Sequence, residues 1–274
     1  MAANLYATLS QLRDRLPGME SNDDDNLLLE ALEDASRQLE RATHRLFYPR
    51  ILTRYYDYQS TFELVLNPED DLLSITTLTS FQDAVTIASA DYHLMCGDSY
   101  NLQPYDRISL DRARGAVFGY SGTVQKANKI IGVYGYHTDY ANAHGLSGAT
   151  VGETYNSSDT TLTVSNGAKF QKDQTIRIDS EWLYISDIAT NDLTVERAVN
   201  GSTAAAHSSG TAIYIYRPMR DVERVTLRYA AWLYKQLESP FSFELQTGAD
   251  GQVIIPPQAP LEVHRFVKQY IRML

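Results

Sequence analysis

The sequence predicts an α+β protein: a small four-helix core drawn from both chain ends, with antiparallel β-domains inserted between helices 2 and 3. Three observations predict it. Apolar residues recur at helical steps near both termini. Between them the period switches to two, in stretches rich in β-branched and aromatic residues. Each terminal region offers only two helices, too few to bury their apolar stripes without the other pair. The division that follows is residues 1–49 plus 217–274 for the helical core, 50–140 for an antiparallel β-region, and 150–216 for an inserted small barrel or sandwich.

In chain order, Thr8-Leu9-Ser10-Gln11 is a capping-box pattern, followed by the short apolar stripe Leu9, Leu12 and Leu16. Pro17-Gly18 closes this first helix. A long helix is predicted from Asp23 to Tyr48, about 35–40 Å of rod. Leu28, Leu32, Ala35, Leu39, Ala42 and Leu46 lie on its stripe, and Glu33, Arg37, Gln38, Glu40 and Arg41 fall elsewhere. Ser21 or Asn22 can cap it, and Tyr48-Pro49 ends it, because a residue before proline avoids helical angles.

Strands are then predicted at 51–58, 62–66, 73–79, 85–88, 92–95, 107–110 and 129–136. Asn67-Pro68-Glu69-Asp70 and Cys96-Gly97-Asp98 read as turns between them, with Glu69, Asp70 and Asp71 in an exposed one. Asp139 to Ala149 is small, polar and glycine-bearing, so it reads as a linker. A second set of short strands follows at 162–164, 175–179, 182–187, 193–196 and 212–216, punctuated by Asn166-Gly167 and Asn200-Gly201. From Pro218 the helical period returns with Val222, Val225, Tyr229, Trp232, Leu233 and Leu237. A loop over 241–259 leads to a last helix opened by Pro260, with Val263, Phe266, Val267, Tyr270 and Leu274 on one face and Arg265, Lys268 and Arg272 on another.

Composition limits the function. With 34 acids against 24 bases the net charge is −10, which repels a phosphate backbone. Cys96 is the only cysteine, so no internal disulfide forms, and a reducing compartment is expected. No run of eighteen apolar residues spans a membrane, and the N-terminus lacks the order of a secretion signal. Nineteen tyrosines against eight phenylalanines suit half-wet strands and protein contacts.

No GxSxG, P-loop, HExxH or GxGxxG pattern is present, so neither catalysis nor a cofactor is expected. The six histidines show no metal-ligand spacing, and no metal site is expected; His137 and His144 flank the linker. Asp159, Asp173 and Asp179 do not match a calcium loop. Asp23, Asp24 and Asp25 favour the positive end of a helix dipole, and they are also candidates for an acidic channel lining. Arg265, Lys268 and Arg272 form a basic ridge that suits a helix C-terminus or docking on another protein.

The order of elements resembles a known family. YATLSQLRDRL, then NLLLEALEDASRQLERATHRLFYPR, then RYYDY, are similar to the N-terminal part of head-tail adaptor (connector) proteins of tailed bacteriophages. LLSITTLTS, ADYHLM and KIIGVYGYHTDYA resemble the strands that follow in that family. The block from Thr161 to Tyr216 is similar to a β-module of phage virion proteins; within it ERAVNGSTAAAH, Glu196 to His207, resembles an R-G-x-N-G-T-x-A-x-x-H pattern with Ala198 in place of the usual glycine.

The resemblance implies a dodecameric ring in the virion neck, assembled in the bacterial cytoplasm. Its partners are further copies of the chain, the portal protein, and a stopper or tail-completion protein, while DNA passes through without specific binding. It implies no catalysis, and it assigns portal contact by position to the C-terminal segment, here Arg265, Lys268, Tyr270 and Arg272. The acidic wall fits a sliding duplex. A rival reading is another tail or baseplate part whose β-module binds host carbohydrate, with Trp182, Tyr184 and Tyr155 as stacking residues. A hydrolase built on scattered carboxylates lacks a paired acid–base motif.

Overall fold

The computed structural model describes residues 4–16, 24–100, 102–238 and 259–272. Asp23, the capping candidates Ser21 and Asn22, Leu274 and most of the loop at 241–259 lie outside the described residues. Helices and antiparallel sheets are both present, so the fold is α+β. The chain divides into two compact units: one holds His44–Met219 with Asn4 and Arg272, the other Leu5–Thr43 and Arg220–Ile271.

The second unit is helical. It contains α1 (Leu9–Arg13), α2 (Asp25–Thr43), α3 (Arg220–Glu238) and α4 (Leu261–Tyr270). Thr8 makes the capping box at α1 with Gln11. Helix α2 buries Leu28, Ala31, Leu32, Ala35, Ser36, Leu39 and Thr43. Its expected continuation to Tyr48 does not occur. His44 takes a left-handed φ of 53°, and the backbone leaves the helix five residues before the proline. Leu46 is therefore exposed, as is Ala42 within the last turn, and Thr43 closes the buried stripe with its hydroxyl donating to the Leu39 carbonyl at 2.7 Å.

Helix α3 buries Val222, Val225, Thr226, Ala230 and Tyr234, whereas Tyr229, Trp232 and Leu233 are only half-buried. Val263 and Phe266 of α4 complete the helical core.

The first unit is built from three sheets. β1 (Arg50–Tyr56), β3 (Leu72–Ser80), β4 (Val85–Ile87) and β8 (Asn128–Tyr134) make one, in the order β1-β8-β3-β4. β2 (Glu63–Val65), β5 (Tyr92–Cys96), β6 (Ser99–Tyr100) and β7 (Arg107–Leu110) make a second, in the order β2-β7-β5-β6. These two share a core that includes Leu64, Leu72, Leu78, Ile108 and Ile130.

The third sheet is six-stranded, with β9 (His144–Thr150), β10 (Thr161–Thr163), β11 (Thr175–Ile178), β12 (Glu181–Ala189), β13 (Asp192–Glu196) and β14 (Ala212–Tyr216) in the order β10-β13-β12-β11-β14-β9. Its edges meet: Val151 bridges Val164, and the Gly152 amide donates to the Thr163 carbonyl at 2.8 Å. The sheet thus curls into a small barrel around Leu162, Ile176, Leu183, Ile185, Leu193 and Ile213.

Two expectations are corrected here. The supposed linker contains a strand, β9, paired with β14. HGLSGAT carries only one β-branched side chain, Thr150 at its end, and its pairing comes from the AIYIY edge beside it. The acidic turn after Pro68 is exposed only as far as Glu69: Asp70 and Asp71 are buried. Asp70 receives the Tyr56 hydroxyl at 2.7 Å and lies 3.1 Å from Arg54, while Asp71 pairs with Arg45 at 2.6 Å and with Arg272.

Candidate functional site

The ERAVNGSTAAAH motif is a structural fastening, and the residue it fastens is Glu181, which is fully buried. Arg197 grips that carboxylate with two parallel bonds, Nε to Oε1 at 2.9 Å and Nη2 to Oε2 at 2.6 Å. His207 approaches from the other end of the motif, Nε2 to Glu181 Oε2 at 2.9 Å and Nδ1 to Asp179 Oδ2 at 2.8 Å. The Ala205 amide adds a third donor at 3.0 Å. Burial would raise the Glu181 pKa, but these donors outweigh it and hold the carboxyl below its ordinary value. The Arg197 guanidinium also lies 4.3 Å from the centre of the Tyr155 ring, which stacks on His207.

The turn between these anchors docks on the neighbouring sheet. Ala198 adopts φ 52° and ψ 34°, the left-handed conformation that a glycine would favour, so the substitution leaves the turn intact. Asn200 exchanges two hydrogen bonds with Asn4, at 2.8 and 3.0 Å. Gly201 has φ 80°, and a Cβ there would stand 2.3 Å from the Ile51 carbonyl oxygen of β1. Leu73, Val133, Trp182 and Val199 fill the space between barrel and sheet.

This arrangement buries two of the three carbohydrate-stacking candidates and half-buries the third, Tyr184. Trp182 and Tyr155 are each 3% exposed, and Tyr184 donates its hydroxyl to Asp173 at 2.5 Å. His144 stacks on Trp182 at 6.1 Å. Burial, with the charges of Arg177 and His137, lowers its pKa to about 3. Among the described residues no group of three or more His, Cys, Asp or Glu could hold a metal ion.

The terminal-segment candidates separate. Arg265 and Lys268 are exposed on α4, and Leu261, 61% exposed, falls on the same side by helical spacing. Tyr270 is half-buried and donates its hydroxyl to Asp221. Arg272 does not stand with them: it lies past the helix end, is 8% exposed, and pairs with Asp71. The expected ridge fails because α4 stops at Tyr270. Of the acidic trio, Asp25 pairs with Arg13, Asp24 is half-buried, and Asp23 lies outside the described residues.

Beside Arg265 lies a row of arginines on α3. Arg220, Arg224 and Arg228 recur every four residues on α3 and share one side of it. Two adjoining open grooves follow this row. One, of about 540 Å³, is lined by Arg15, Arg220, Asp221, Glu223 and Arg224. The other, of about 350 Å³, adds Arg228, Glu262, Arg265 and Gln269. The groove's acids are already engaged: Asp221 by Tyr270, Glu223 by Gln11, and Glu262 by Arg228. Arg15, Arg220, Arg224 and Arg265 are exposed and have no ion pair among the described residues. Helix α2 carries the opposite sign, with Glu30, Glu33 and Asp34 exposed and without an ion pair among the described residues, beside an exposed Leu27.

No family model matches the chain, and no curated protein matches it. Among solved structures the chain is similar to one in the "Neck of empty GTA particle computed with C6 symmetry", at 18% identity and a TM-score of 0.31, covering 48% of this chain and 65% of that one. The match therefore spans less than two thirds of that chain's length.

Proposed function

We propose that this protein is a structural subunit of the head-to-tail junction of a tailed bacteriophage. In this reading copies form a ring beneath the portal, extend the DNA tunnel, and offer a surface to the stopper or tail-completion protein. The resemblance of the two N-terminal stretches and of the NGSTAAAH turn to adaptor and virion proteins supports it.

The observation that carries the reading is the helical unit assembled from both chain ends, Leu5–Thr43 with Arg220–Ile271. A helical core of that composition is the part that the resemblance assigns to ring formation. The net charge of −10 suits a conduit through which a polyanion slides without being held. The exposed Arg265 and Lys268 are the residues left to meet a portal. The subunit performs no catalysis in this reading, and its chemistry is that of charged and tyrosine-rich contact surfaces.

The test is immunogold labelling of intact virions with an antibody to this chain. Label at the junction of head and tail is expected. Label confined to the tail tip or the fibres overturns the proposal.

A further inference from the structure

We propose that copies of this chain recognise one another through opposite charges on two helices of the helical unit: the arginine row of α3 in one copy takes the acidic residues of α2 in the next. This deepens the ring reading, on which it rests only for the expectation that copies meet side by side. The spacing carries it first. Arg220, Arg224 and Arg228 rise along α3 in steps of about 6 Å, and Glu30 and Asp34 rise along α2 by the same step, so helices laid alongside place the charges opposite each other.

Availability carries it second. Arg220 and Arg224 are exposed without an ion pair among the described residues, and so are Glu30, Glu33 and Asp34. In a chain of net charge −10, Arg220 and Arg224, without an ion pair among the described residues, attract an acidic surface, and the chain itself displays one. The two faces differ, so the contact is head-to-tail, the type that closes into rings.

The experiment uses full-length protein and two charge-reversed variants, Arg220→Glu/Arg224→Glu and Glu30→Arg/Asp34→Arg, each checked for native circular dichroism. Sedimentation at high protein concentration and low ionic strength is expected to show wild-type association that weakens with salt. Each variant alone should associate at least about tenfold more weakly, and an equimolar mixture should regain association, because each reversed face then meets its complement. If a reversed variant does not fold, Arg224→Gln and Asp34→Asn with the wild-type salt series give the same reading.

A wild-type chain that stays monomeric under these conditions overturns the proposal, as does a mixture that fails to recover. Loss with the arginine reversal alone also overturns it and assigns the groove to another anion. Rings that form regardless of either reversal refute this interface while leaving the adaptor reading intact; mislocated gold label does the converse.

Discussion

At the scale of single residues, the buried carboxylate of Glu181 is the most consequential group. Its side chain is inaccessible and that of Arg197 is 8% exposed, so Glu181→Gln leaves a nearly buried guanidinium without its counter-charge. A loss of about 3–5 kcal/mol is expected by urea denaturation. Ala198→Gly acts in the other direction. It relieves a left-handed alanine at the cost of a more flexible unfolded chain, and a net gain of about 0.5–1 kcal/mol is expected by the same assay.

His144 sets a pH dependence. Its folded pKa, about 3, lies below the ordinary 6.5, so the folded state resists taking up the proton. The contribution is complete above pH 6.5 and is lost as pH falls toward 3, by about 2–3 kcal/mol between pH 6.5 and 4.5. Thermal melts across that range should fall more steeply for the wild type than for His144→Phe, which keeps the stack on Trp182. Arg197 and His207 stood out in the sequence as parts of a motif, but their common partner did not. Glu181 is sixteen positions from one and twenty-six from the other, and only the curl of the barrel joins them.

At the scale of elements, strands announced themselves where Val, Ile, Thr and Tyr alternate, and β7 and β14 begin and end at the expected residues. The failures share one cause: the neighbour decides, not the segment. Strand β9 is made of residues with weak strand preference and exists because β14 offers an edge. Hydrogen exchange should therefore find slow amides within 144–150, where a linker would exchange freely. Helix α2 ended early although Leu46 continues its stripe, because Phe47 and Tyr48 are buried elsewhere, with the Tyr216 hydroxyl on the Phe47 carbonyl at 2.7 Å. The arginine row of α3 was fully legible in its four-residue spacing. What sequence could not supply was which of those arginines lacked a partner.

At the scale of the whole molecule, barrel and sheets behave as one body through the Gly201 turn. Gly201→Ala should cost at least about 2 kcal/mol, since it adds both left-handed strain and a backbone clash with Ile51. One cooperative melt should shift, rather than a barrel transition splitting away. The helical unit has a different kind of dependence. Asn4, His44, Met219 and Arg272 all belong to the β-rich body, so each helical segment departs from that body and returns to it. Two such tethered excursions lose less entropy on folding once their four ends are pinned, much as cross-linked loops do. Trimming a buried apolar side chain of α4, as in Val263→Ala, should accordingly be read on the helical unit's own transition.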